Sequence, residues 1–111
     1  MVPVRQWRHV LLVAAVLSAG SLALRAEEAV AVFNLNCSPC HGKDGKARTP
    51  IARKLGVKDL TLSKLTDAEI ERQIREGRKG ADGKQAMPAF GDKIAEADLK
   101  PLIAFVKKFR P

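Results

Sequence analysis

Cys37-Ser38-Pro39-Cys40-His41 is the stretch on which the reading of this chain turns. Its spacing, C-x-x-C-H, is the attachment signature of a c-type haem. Two thiols one turn apart add across two vinyl groups and form two thioether bonds. The imidazole beside the second thiol is then placed to ligate the iron. A C-x-x-C pair also serves as a redox dithiol or as half of a zinc site. Zinc needs four ligands, usually two such pairs or added histidines. This chain offers only Cys37 and Cys40, with His41 and one other histidine, His9. A thioredoxin-like dithiol calls for alternating strand and helix patterns around it, and none is visible. The residues therefore point to one covalent haem c on Cys37 and Cys40, with His41 as an axial ligand.

The N-terminus bears on the compartment. Arg5 and Arg8 precede the apolar run from Val10 to Leu17, and small residues follow from Ser18 to Ala26. This is the order of a secretory signal peptide. The uncharged stretch from Val10 to Leu24 has 15 residues, whereas a spanning helix needs about 20. The expectation is a signal peptide over 1–26, cleaved after Ala26 with Ala23 as the alternative, and no stable membrane span afterwards. Haem c is attached outside the cytoplasm, so the expected location is the bacterial periplasm. Residues 27–111 then form a single domain.

Charge narrows the partners. The chain carries 20 Lys and Arg against 12 Asp and Glu, a formal charge of +8. Loss of Arg5, Arg8 and Arg25 with the leader lowers this to +5. A basic protein invites a nucleic-acid reading, but this one has an export signal and no nucleic-acid-binding motif. A redox protein with an acidic docking surface is the better inference. A domain this short buries little surface by itself, and a covalent haem would supply much of its core.

Helical patterns dominate the mature chain. Glu27 to Asn36 reads as a first helix running into the haem motif, with Ala29, Val30 and Phe33 on its apolar side. Thr49-Pro50 opens a short segment that stops near Gly56, and Leu60, Leu62 and Leu65 are expected core contacts. Thr66-Asp67-Ala68-Glu69 has the spacing of a capping box and opens a helix to Glu76, with Ile70 and Ile74 on one face and a Glu71–Arg75 pair outside. Gly77, Gly80 and Gly83 break that helix and form a loop that carries Met87-Pro88. Leu99, Leu102, Ile103 and Val106 trace the stripe of a last helix from about Asp98 to Phe109. Pro101 belongs in a first turn, which places Asp98 near the cap unless the helix starts earlier. The fold class is all-α, three to four helices around one haem.

The iron's second ligand follows by elimination. His9 leaves with the signal, and Met87 is the only methionine besides Met1. It lies 46 residues after His41. A flexible thioether also serves as a gap-filler in a core. Met/His is, however, a standard axial pair for this cofactor, and the expected iron ligands are His41 and Met87.

With these residues in place the chain resembles the class I cytochromes c, especially small bacterial ones, over essentially all of its mature length. The resemblance rests on the first helix ending in Cys37-Ser38-Pro39-Cys40-His41-Gly42, the middle helix, Met87-Pro88 and the final helix with Leu102-Ile103-Ala104-Phe105-Val106. It implies that Phe105 packs near Phe33 and Ala29, the last standing where the family has a glycine. It also implies that the Pro50 carbonyl accepts a hydrogen bond from the free ring nitrogen of His41. Arg53, Lys54 or backbone N–H groups are candidates to hold the haem propionates. Lys43, Lys46, Lys79, Lys84 and Lys93 are expected around the exposed haem edge.

The resulting expectation is a periplasmic single-electron carrier between respiratory donor and acceptor proteins, with no substrate chemistry of its own. The alternatives are a haem-based sensor with an open iron position and a subunit of a larger redox complex with a similar domain.

Overall fold

The computed structural model describes residues 23–111. Most of the expected leader lies outside these residues; its last four, 23–26, are helical. Helix α1 occupies 23–36, followed by α2 (Ser38–His41), α3 (Pro50–Leu55), a 3₁₀ turn (Leu60–Leu62), α4 (Asp67–Glu76), β1 (Arg78–Lys79), β2 (Gln85–Met87) and α5 (Glu96–Lys107). Among the described residues no helix is long and apolar enough to cross a membrane.

Local chemistry explains the element ends. Thr49 caps α3 by accepting from the Ala52 N–H, Pro50 fills the first helical position, and Gly56 closes the helix in the left-handed conformation at φ 64°. Thr66 and Glu69 form the full capping box of α4. The Glu69 carboxylate accepts from the Thr66 N–H at 2.7 Å while the Thr66 hydroxyl accepts from the Glu69 N–H at 3.3 Å. Arg75 on α4 reaches Glu71 at 3.1 Å and Glu96 of α5 at 2.6 Å, so the expected intrahelical pair is also a clasp between helices.

The core gathers Phe33, Ile70, Ile74, Phe90, Ile94, Leu99, Leu102, Ile103 and Val106. Phe33 and Leu102 are fully enclosed. Phe33 meets two rings from the C-terminal segment, Phe105 at 5.1 Å and Phe109 at 5.2 Å between centroids. Phe105 and Phe109 themselves stand edge-to-face at 5.4 Å. Ala29, where any larger residue would be crowded, is 1% exposed.

Three details refine or correct the sequence expectation. The segment expected as loop between Gly77 and Met87 is an antiparallel hairpin, with Arg78 opposite Met87 and Lys79 opposite Gln85 across a bulge. α5 starts at Glu96, two residues before Asp98, so the earlier of the two expected starts is the one observed and Pro101 lies inside the helix. Leu62 is 75% exposed while Leu60 and Leu65 pack on the core. A 3₁₀ turn advances about 120° per residue, so Leu60 and Leu62 cannot share a face.

Candidate functional site

The haem motif is fixed by backbone bonds at both ends. The Cys37 N–H donates to the Phe33 carbonyl at 2.8 Å, so α2 continues from α1 through a tight turn. The His41 N–H donates to Cys37 O at 2.9 Å. The carbonyls at the end of α2 are then satisfied from beyond it. The Thr49 hydroxyl donates to Cys40 O at 3.0 Å, and the Ala47 N–H donates to His41 O at 2.8 Å. Gly45, at φ 72°, lies so close to the Phe109 ring that a Cβ would stand 2.9 Å from it. The loop after the motif is thereby seated on the C-terminal aromatic cluster.

Cys37, Cys40, His41 and Met87 line one cavity of about 520 Å³. That is within the range of cofactor sites, about 300–1,000 Å³. Its walls are apolar, with Phe33, Leu60, Leu65, Ile70, Ile74 and Phe90 among them. The structure thus brings together four of the five residues singled out in the sequence. Pro50 is the fifth, and it is placed elsewhere.

The His41 ring makes a different contact from the one expected. Its Nδ1 lies 3.0 Å from the carbonyl oxygen of Lys58. A carbonyl only accepts, so Nδ1 carries the proton and Nε2 keeps its lone pair. Pro50 does not supply this acceptor because it is the first residue of α3, where its carbonyl points along the helix axis toward the next turn. The chain returns instead through 57–59. It is tied down there by the Leu60 N–H to Gly45 O bond of 2.8 Å.

Burial lowers the pKa of His41 below its ordinary value; the Lys58 bond acts in the opposite sense, and the Arg78 charge lowers it further. The ring is therefore held neutral, the form that ligates metal. The Cys37 thiol is pushed up to about 11, first by burial and then by the neighbouring Cys40. Both cysteines are free thiols and half-buried. Among the described residues no three His, Cys, Asp or Glu side chains converge as a metal site.

The donor set suits a haem. Two unpaired thiols, a neutral imidazole with Nε2 available and a thioether share an apolar cavity. Leu62, largely exposed, lines its rim, leaving apolar surface for an inserted macrocycle to cover. Cationic partners for two carboxylates are present too, since Lys58, Lys64 and Arg78 line the same cavity. Arg53 and Lys54 do not; Arg53 points back to the Arg48 carbonyl at 3.4 Å. The sequence reading missed Lys58 and Arg78. The first acts through its backbone, and the second is one basic residue among many.

Residues 24–106 match the protein family described as cytochrome c oxidase, cbb3-type, subunit III. Over 85 residues the chain is 33% identical to the cbb3-type cytochrome c oxidase subunit FixP of Azorhizobium caulinodans, covering 73% of this chain and 26% of that protein. It is 33% identical over 76 residues to cytochrome c6 of Gracilaria tenuistipitata var. liui, covering 68% of this chain and 64% of that protein. With cytochrome c6 of Alaria esculenta the identity is 32% over 75 residues, 68% of this chain and 80% of that one. The chain thus spans about a quarter of the FixP length and just under two thirds of the Gracilaria protein. The solved structure of the KustC0563 c-type cytochrome superposes with a TM-score of 0.62 at 27% identity, covering 74% of this chain and 96% of that one.

Proposed function

The chain belongs to the cytochrome c family described by the cbb3-type subunit III match, and on that footing we propose that it is a periplasmic carrier of single electrons whose haem iron is ligated by His41 and Met87. As a small class I c-type cytochrome it carries covalently attached haem c. The domain proposed to do this is 27–111, released from a signal peptide over 1–26.

The observation that carries the reading is the convergence of Cys37, Cys40, His41 and Met87 on one apolar cavity. The haem, when bound, supplies reversible one-electron chemistry at its iron. The protein's part is to hold and tune it. The Cys37 and Cys40 Sγ atoms anchor the ring covalently. The Lys58 carbonyl holds the His41 Nδ1 proton and leaves Nε2 free to ligate the iron when haem is bound, a contact of the kind that fixes ring orientation and raises ligand basicity. Met87, brought in by β2, would supply the second protein ligand to the iron. The apolar walls exclude water, and thioether ligation together with burial favours the ferrous state. An iron held by both His41 and Met87 would have no position open to a substrate.

The test combines mass spectrometry and optical spectroscopy of the mature protein. The expected results are one haem retained after acid–acetone extraction, and a ferric Met/His band at the red edge of the spectrum. Met87→Ala should keep the haem, lose that band, lower the reduction potential and let carbon monoxide bind. A mature chain with two free thiols or a Cys37–Cys40 disulfide would overturn the reading. The description of the matched family as an oxidase subunit favours a second reading, a haem domain working within a larger redox assembly. Co-migration with a membrane complex on native gels would favour that over a free carrier.

A further inference from the structure

We propose that Gln85 is the positioning residue for Met87, fixing the segment that carries the proposed sulfur ligand against the end of α4; the inference rests on the assignment of Met87 as axial ligand. The last carbonyls of a helix have no partner within it. In α4 three successive ones are taken by the methionine segment. Ile74 O accepts from the Phe90 N–H at 2.8 Å, and Arg75 O accepts from the Gly91 N–H at 3.3 Å. Glu76 O accepts from the side chain of Gln85, whose Nε2 lies 3.3 Å away.

The same nitrogen donates to the Met87 carbonyl at 2.7 Å. Both neighbours are acceptors, so the NH₂ end of the amide is the one that must face them. One side chain thus ties the backbone of Met87 directly to the helix. Pro88 follows Met87 and has no N–H to give, so on that side the segment is held through the Met87 carbonyl, which Gln85 bonds. The approach is close. Gly77 sits at φ 73°, and a Cβ there would overlap both Gln85 Nε2 and Met87 O. Gln85 is itself exposed, so its place in the fold is explained by these two bonds and not by core packing.

The experiment measures the affinity of the ferric holoprotein for imidazole, which must displace the sixth ligand to bind. Gln85→Glu keeps the shape and removes the donor; Gln85→Ala removes the whole amide. Both should bind imidazole about three- to tenfold more tightly than wild type, the change expected from losing one ordinary hydrogen bond that exists only with the segment closed. Ile94→Val, a core change away from the cavity, should lower the thermal midpoint without changing imidazole affinity. Gln85 variants whose imidazole affinity equals that of wild type, or moves no more than that of Ile94→Val, would overturn the proposal. Met87→Ala separates the two levels. If it binds imidazole far more tightly than wild type while the Gln85 variants do not, the ligand assignment stands and the Gln85 role is refuted. If Met87→Ala is unchanged, the ligand assignment fails and takes the Gln85 role with it.

Discussion

The His41 ring is held by the carbonyl of Lys58, at 3.0 Å from Nδ1, across a chain separation that no side-chain motif announces. On the Lys58 side the contact uses backbone only, which has a direct consequence for mutagenesis.

Pro50→Ala and Lys58→Ala should both leave the His41 ring in place. Pro50 is the first residue of α3, so its loss raises the entropy of the unfolded chain by an amount on the order of 0.4–1 kcal/mol and does not touch the ring. Lys58→Ala keeps the carbonyl. Cyclic voltammetry of the holoproteins should give potentials close to wild type, apart from a small shift in the Lys58 variant from the lost charge. A large drop in the Pro50 variant would mean that its carbonyl, and not that of Lys58, governs the histidine.

The aromatic cluster makes a graded stability prediction. Phe33 is fully buried and touches both Phe105 and Phe109. Phe33→Ala should cost about 3–5 kcal/mol, the range for a buried ring. Phe105 is only half-buried, so Phe105→Ala should cost less, about 2 kcal/mol by the same comparison. Urea unfolding of the two holoproteins, followed by circular dichroism, checks the order. Equal losses would contradict the burial difference.

How far the sequence could be read depends on what each contact is made of. The capping box of α4 and its Ile70 and Ile74 face were legible because side-chain type and helical period encode them. The C-x-x-C-H motif and Met87 were legible because thiols, imidazole and thioether are rare here and chemically distinct. The hairpin was not. Its strands are two and three residues long, contain no β-branched residue, and are set by the turn in which the Gly80 N–H donates to Lys84 O at 2.8 Å. Lys58 was missed because a carbonyl is common to every residue. Gln85 was missed because its role depends on which backbone groups the hairpin happens to bring beside it. Phe109 lies past the end of α5, yet completes the ring cluster.

The capping box sets an acid limb to stability. The Glu69 carboxyl is held below its ordinary pKa by the Thr66 N–H and then by the Thr66 hydroxyl. Unfolding returns it to the ordinary value. Its contribution is therefore complete above the usual carboxylate range and disappears as pH falls through the lower folded value. Asp59, lowered mainly by the Thr61 hydroxyl, and Glu96, lowered mainly by Arg75, act in the same direction. Thr66→Ala should lower stability at neutral pH by about 1 kcal/mol, as for other N-cap hydroxyls, and should flatten the decline below the carboxylate range without abolishing it. Urea midpoints measured from neutral pH downward will show whether the two curves converge in acid, as this account requires.

The last prediction concerns docking. Lys58, Lys64 and Arg78 line the cavity, and the hairpin that carries Met87 also carries Lys79 and Lys84, both exposed. Asp82, also exposed, dilutes this field, its carboxylate accepting the Lys84 N–H at 3.0 Å. Lys93 contributes less freely, because its ammonium sits 5.6 Å above the Phe90 ring. A cationic surface at the mouth of the redox site attracts an acidic partner and raises the encounter rate more than the final affinity. Exposed charges are screened beyond about 10 Å at 0.1 M salt, so the bimolecular rate of electron transfer to an acidic acceptor should fall as salt is added. Lys79→Glu and Lys84→Glu should slow the reaction at low salt and flatten its salt dependence. Neither side chain lines the cavity, so the reduction potential should stay close to wild type. Stopped-flow rates across an ionic-strength series, paired with voltammetry of each variant, separate steering from tuning. Rates indifferent to both salt and these lysines would leave the basic rim with no role beyond solvation.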